Sequence, residues 1–107
     1  MKLWIDDVRP APDGYYWIKS VNFAKQFIST CIFYETHLDL EGSYKIDLID
    51  IDHDAGEYAE DGGDYIELLN WLEVRQINIP IHIHSMNPVG IENMRRIIRR
   101  NNWEEVK

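Results

Sequence analysis

The sequence predicts an α/β fold with a mostly parallel sheet, and three features carry that expectation. Short apolar and β-branched runs alternate with segments of helical spacing. The run Ile46 to Ile51 is apolar nearly throughout, as in a parallel strand covered on both faces. Three of the strand-like runs stop at clusters of polar residues, and in parallel sheets ligands sit outside the carboxyl ends of the strands.

Taken in order, KLWID (Lys2 to Asp6) is a short apolar strand ending at the pair Asp6-Asp7. RPAPDG (Arg9 to Gly14) is a loop, with two prolines and an Asp-Gly turn signal. YYWIKS (Tyr15 to Ser20) is aromatic and β-branched enough for a second strand. Ser20 or Asn22 then caps a helix with Val21, Ala24, Phe27 and Ile28 on one face. The stretch CIFYETHLDLEGSYK carries weak signals, which read as a strand over Ile32 to Glu35 and a turn over Glu41 to Ser43. After the Ile46–Ile51 strand and a Gly-rich acidic loop, DYIELLNWLEVRQ reads as a helix. Asp64 lies in its first turn, where the helix dipole favours an anion, and Ile66, Leu69, Leu72 and Val74 face inward. Pro80 opens the strand IHIHS, with His82 and His84 on one face by the two-residue period. MNPVG turns the chain into the helix IENMRRIIRR, with Ile91, Met94, Ile97 and Ile98 inward and four arginines outward. WEEV is a candidate last strand.

A chain of 107 residues with 45% hydrophobic content suits a single domain over 1–107 and can bury an ordinary core. Its net charge of −8 repels nucleic-acid backbone except at a local patch or a metal, so extended DNA binding is not expected. A small phosphorylated ligand remains compatible. The single cysteine, Cys31, permits no internal disulfide and reads as a core residue. No run is long and apolar enough for a membrane span, and MKLWIDDVRP lacks a signal-peptide layout, so the expected address is cytoplasmic.

The segment DLIDIDHDAG (Asp47 to Gly56) holds four aspartates and a histidine in ten residues. Two carboxylates ~4 Å apart repel by about 4 kcal/mol at an effective dielectric of ~20, so something must relieve them. Asp6, Asp7 and Asp52, at the ends of two strands, form a hard-oxygen set suited to Mg²⁺, which would keep waters and take a substrate phosphate. The competing reading is a group of solvated loop acids with Arg9 as partner. Asp50 shares the parity of Asp52 one layer deeper, which suits a residue that orients its neighbours by hydrogen bonding. His53 and His84 are candidate proton carriers or scaffold residues, and His82 lies farther from the edge. A histidine-only zinc site does not fit so carboxylate-rich a cluster. In MNPVGIEN, Asn87-Pro88 makes a turn, Gly90 lets backbone approach closely, and the helix N-terminus either receives an anion or is simply capped. The Arg95, Arg96, Arg99 and Arg100 face reads as a solvated helix face.

MKLWIDDVRPAPDG, DLIDIDHDAG, DGGDYIELLNWL and IHIHSMNPVGIENM, in that order, resemble the cyclic-phosphate processing receiver domain family, a divergent branch of response-regulator receivers. The resemblance implies a flavodoxin-like, doubly wound, three-layer domain lacking a full final helix. It implies that Asp6 and Asp7 match the metal-binding acidic pair of receivers, Asp52 the phosphorylated and metal-ligating aspartate, and Ser85 the hydroxyl residue after the fourth strand. His53, Asp54, His84 and Asn87 look like the polar set the family adds, with Arg9 and Gly90 as candidate substrate contacts. The implied activity is a Mg²⁺- or Mn²⁺-dependent phosphoesterase acting on cyclic phosphates of nucleotides or RNA ends. The alternatives are a receiver-type phosphoacceptor and a non-catalytic module that binds a nucleotide or a partner. Departures from ordinary receivers are the loop RPAPDG in place of a first helix, the longer loop after Asp52, and the absence of Lys-Pro after the last strand. Lys107 is the one candidate substitute for that lysine.

Overall fold

The computed structural model describes residues 1–38 and 41–107. Asp39 and Leu40, inside the weakly patterned stretch, lie outside the described residues. Strands β1 (Lys2–Ile5), β2 (Tyr15–Ile18), β3 (Leu48–Ile51) and β4 (Ile81–Ile83) form one four-stranded sheet in the order β2-β1-β3-β4. Every pairing is parallel, with Leu3 opposite Ile49 and Ile49 opposite Ile81. Helices α1 (Val21–Leu38), α2 (Ile66–Arg75) and α3 (Pro88–Arg100) follow β2, β3 and β4, and a short 3₁₀ helix spans Gly56–Glu60.

The crossovers through α1 and α2 both run toward the β4 side of the sheet. Right-handed connections therefore put both helices on the same face. Burial agrees, because Leu3, Ile5, Ile18, Ile49, Ile51 and Ile81 share one parity across the register and are all buried. Helix α2 packs against both α1 and α3, with Leu68, Leu69 and Leu72 buried. A radius of gyration of 13.1 Å fits the ~13 Å of a compact chain near this length.

The opposite parity carries Trp4, Trp17, Asp50, His82 and His84, and here the covering segment is a loop. Parallel neighbours ordinarily need a crossover of about a dozen or more residues, usually a helix. The loop 6–14 makes this one without any helix, as the prolines and Asp13-Gly14 foretell. Two indoles hold it: Trp4 Nε1 donates to the Arg9 carbonyl at 2.8 Å, and Trp17 Nε1 to the Asp6 carbonyl at 2.8 Å. Loop carbonyls that no strand pairs are satisfied in this way.

Several element assignments change. Ile32 to Glu35 belongs to α1, which runs on to Leu38. The run IFYE is apolar and aromatic in a way that suits either state, and the helix continues because Ile28 and Cys31 bury at helical spacing. The central strand begins at Leu48 rather than Ile46, and Glu41–Ser43 is a turn as expected. Val74 is 80% exposed; Leu68 takes the inward place instead. Asp64 precedes α2, where its carboxylate accepts from the Ala55 amide and ties the acidic loop down. Helix α3 starts at Pro88, not Ile91, with Asn87 as its cap. Ser20, not Asn22, caps α1, accepting from the Phe23 amide at 3.1 Å. The WEEV segment adds a single parallel bridge, Glu105 to Ile81.

Candidate functional site

Residues that close β1, β3 and β4 meet at the carboxyl edge of the sheet. The ladder continues past the named strands, since the Asp52 amide donates to the Ile5 carbonyl and the His84 amide to the Ile51 carbonyl. Asp6, Asp52 and His84 thus stand side by side. Each presents one ligand-type atom, all within 4.8 Å of one another.

The centre of the cluster is a clamped imidazole. His84 Nδ1 meets Asp50 Oδ1 at 2.5 Å and Nε2 meets Asp6 Oδ2 at 2.9 Å. Its ring stacks on Trp4, with centroids 3.8 Å apart and planes 4° from parallel. Ionised carboxylates only accept, so two carboxylates facing one ring favour its doubly protonated form. Burial disfavours the charged ring, but its hydrogen bonds to the Asp50 and Asp6 carboxylates outweigh burial and raise the His84 pKa above the ordinary value. Asp50, the acid inside the apolar strand, is buried and answers to this ring.

Asp6 is fully buried. Burial raises its carboxyl, yet the amides of Arg9 and Val8, each 2.9 Å from Oδ1, and the His84 ring bring it below the ordinary carboxylate value. Asp7 behaves oppositely: burial raises its pKa, and the charges of Asp6 and Asp52 push the same way. The acids therefore do crowd one another. Gly56, at φ +56°, lies so close to Asp7 Oδ2 that a β-carbon there would collide with it. Tyr65, buried at the start of α2, donates from its hydroxyl to the Lys19 carbonyl at 2.7 Å. Burial, then the charges of Asp7, Asp6 and Asp52, hold that phenol strongly protonated.

A second chain of polar groups runs along the outer rim. Asp52 Oδ1 accepts from the His53 amide at 2.8 Å. The His53 ring meets Asp54 Oδ1 through Nδ1 at 2.9 Å, and Asn87 Nδ2 reaches Asp54 Oδ2 at 3.5 Å. Asn87 also caps α3, accepting from the Gly90 amide at 3.0 Å. The Gly90 amide is thereby used, and a β-carbon at this position would fall inside the His53 ring. Gly90 is a spacer for His53. Ser85 Oγ accepts from the Asn87 amide at 3.1 Å, shaping the turn before α3. Arg9 reaches the same edge, donating to the His84 carbonyl at 3.3 Å.

Other sequence candidates lie elsewhere. His82 Nδ1 pairs with the Val106 carbonyl at 2.7 Å, a scaffold contact. Lys107 lies 4.0 Å from Glu105 and is largely exposed. Three of the α3 arginines are paired, Arg95 to Glu105, Arg99 to Glu92 and Arg100 to Glu73. Trp4, Trp17 and Tyr65 carry no site signal in the sequence beyond the parity that Trp4 shares with Asp6.

A sequence profile described as the cyclic-phosphate processing receiver domain matches residues 1–100 of the chain. The protein belongs to that family. The four parallel strands in the order 2-1-3-4, with acids at the carboxyl edge, are those of a flavodoxin-like receiver. No curated protein and no solved structure matches the chain. Among the described residues, no helix is long and apolar enough to cross a membrane.

Proposed function

We propose that this receiver-like domain is a metal-dependent phosphoesterase that opens cyclic phosphates on nucleotides or RNA ends. The observation that carries the reading is the convergence of Asp6, Asp52 and His84 at one strand edge, with Asp7 close enough to feel both acids. The donor chemistry fits Mg²⁺ or Mn²⁺. Hard carboxylate oxygens are the right ligands, and a divalent cation offsets the repulsion that raises Asp7. Asp6, Asp7 and Asp52 would hold the ion. His84, with both nitrogens already given to carboxylates, is better suited to orient Asp6 from behind than to ligate. When bound, such an ion polarises phosphoryl oxygens and lowers the pKa of attached water.

The chain's own residues then divide the work. Asp50 and Trp4 lock the His84 ring, and the ring fixes Asp6. His53 is the proton carrier: with Nδ1–H given to Asp54, its Nε2 is the free basic nitrogen that takes a proton from the attacking water. The same nitrogen returns the proton to the leaving sugar oxygen. Arg9, at the rim, meets phosphate charge. Hydrolysis of a cyclic diester consumes one water and yields a monoester and a free hydroxyl.

The test is an assay of purified protein with Mn²⁺ or Mg²⁺ on 2′,3′- and 3′,5′-cyclic nucleotides. Ring opening that falls at least ~100-fold in Asp52→Ala and His53→Ala supports the reading, in line with the usual worth of general acid–base help. No product, or equal rates in wild type and both variants, sinks it.

A further inference from the structure

Beside the acid cluster, at the carboxyl end of β2, lies a cleft of about 250 Å³ that none of the site residues above explains. Trp17, Lys19, Ser20, Phe23, Tyr58 and Asp61 line it. Trp17 and Tyr58 are 38% and 37% exposed, a large share of surface for rings at the edge of a core. The Lys19 ammonium lies 4.4 Å from the Trp17 ring centre and 6.0 Å from that of Tyr58, within cation–π range of both.

We infer that this cleft receives the nucleobase of the ligand, with the base on the Trp17 and Tyr58 rings and Lys19 turned to its phosphate. This rests on the proposed cyclic-phosphate reading and adds to it a requirement for a base. Four observations support it. The cleft shares a wall with the acid site: Trp17 Nε1 donates to the Asp6 carbonyl, and the neighbouring Lys19 carbonyl accepts from the buried Tyr65 hydroxyl. Its volume lies below the ~300 Å³ lower bound of drug-sized sites, which suits one planar ring system and not a whole nucleotide. Aromatic faces beside a cation are how proteins grip bases without reading sequence. Finally, the chain carries a net charge of −8, so a phosphate must be drawn in locally. Lys19 and Arg9 reach this edge with no ion-pair partner among the described residues.

Two sources offer this chemistry, a free nucleotide and the terminal residue of an RNA. Calorimetric titration of the full chain with Mn²⁺ present, using a nucleoside 2′,3′-cyclic monophosphate and the 2,3-cyclic phosphate of methyl riboside, which lacks only the base, tests it. The nucleotide should bind about tenfold more tightly, the usual worth of one stacked base. Tyr58→Ala should bring that ratio close to one, and Tyr58→Phe should keep it, with thermal melting reporting that both variants fold. Equal affinity of wild type for the two ligands, no binding of either, or a ratio that Tyr58→Ala leaves intact overturns the inference. An oligoribonucleotide ending in a 2′,3′-cyclic phosphate separates the sources: tighter binding than the mononucleotide identifies an RNA end, equal binding a free nucleotide, and either supports a base cleft. The two readings fail separately. Base-dependent binding without ring opening sinks the enzyme and keeps the cleft, whereas turnover with no base preference does the reverse.

Discussion

At the scale of single residues, His84 holds the site together. Its ring sits between the buried carboxylates Asp6 and Asp50, and no buried side-chain polar atom among the described residues lacks a partner. Removing the ring leaves two acids facing a void, the situation in which a broken buried pair costs most. His84→Ala should therefore destabilise the fold by about 3–5 kcal/mol in urea unfolding. A loss under about 1 kcal/mol would mean that the clamp is not formed. Gly90→Ala forces a methyl into the His53 ring, and overpacking of this kind costs about 1–3 kcal/mol. Ring-opening activity should fall with it, because His53 would have to move. The sequence showed these acids and histidines but not their partners. Parity placed Asp50 with Asp52, yet nothing local says that Asp50 answers to a histidine 34 residues away. That pairing follows from the parallel register of β3 and β4, a long-range property.

At the scale of elements, the joints between helices are testable. Glu73 on α2 accepts from Arg100 of α3 at 2.7 Å through both oxygens and also from Asn101. The Arg100 hydrogen bond, then Asn101, lowers the Glu73 pKa from 4.5 to about 2. A carboxylate depressed in the folded state contributes stability that is complete above pH 4.5 and is lost as pH falls through about 2. Glu73→Gln should lower the melting temperature at pH 7, with the gap to wild type closing as the pH drops across that window. A gap that persists at pH 2 would show that charge is not its cause. Helix α2 ends with Gln76 in the left-handed region, φ 56° and ψ 42°, where a β-carbon is unfavourable. Gln76→Gly should raise stability by about 0.5–1 kcal/mol, read from the urea midpoint. Element types were legible because period-2 and period-3.6 patterns differ. The exception is α1, where the aromatics Phe23 and Phe33 lie exposed and blur the apolar stripe. Val74 misled for a similar reason, an apolar residue on a solvent face.

At the scale of the whole molecule, the architecture explains why a short chain can carry a crowded acidic site. The helices take one face of the sheet, and the β1–β2 loop takes the other. That loop brings the Val8 and Arg9 amides to Asp6 and the Arg9 guanidinium to the His84 carbonyl, while the strand ends bring Asp52 and His84. Fold class was readable from the alternation of elements, and the polar strand ends indicated which edge to inspect. What the sequence concealed was the lopsided covering of the sheet and the aromatic cleft beside the acids, since both depend on which strands become neighbours. The proposed metal centre requires that the acids at the ends of β1 and β3 trap a divalent ion at this edge. Calorimetric titration of Mn²⁺ into the wild-type chain and into Asp52→Ala tests it most directly. One site per chain is expected in the wild type, and its loss in the variant. An absence of binding to wild type, or equal binding to both proteins, would contradict it.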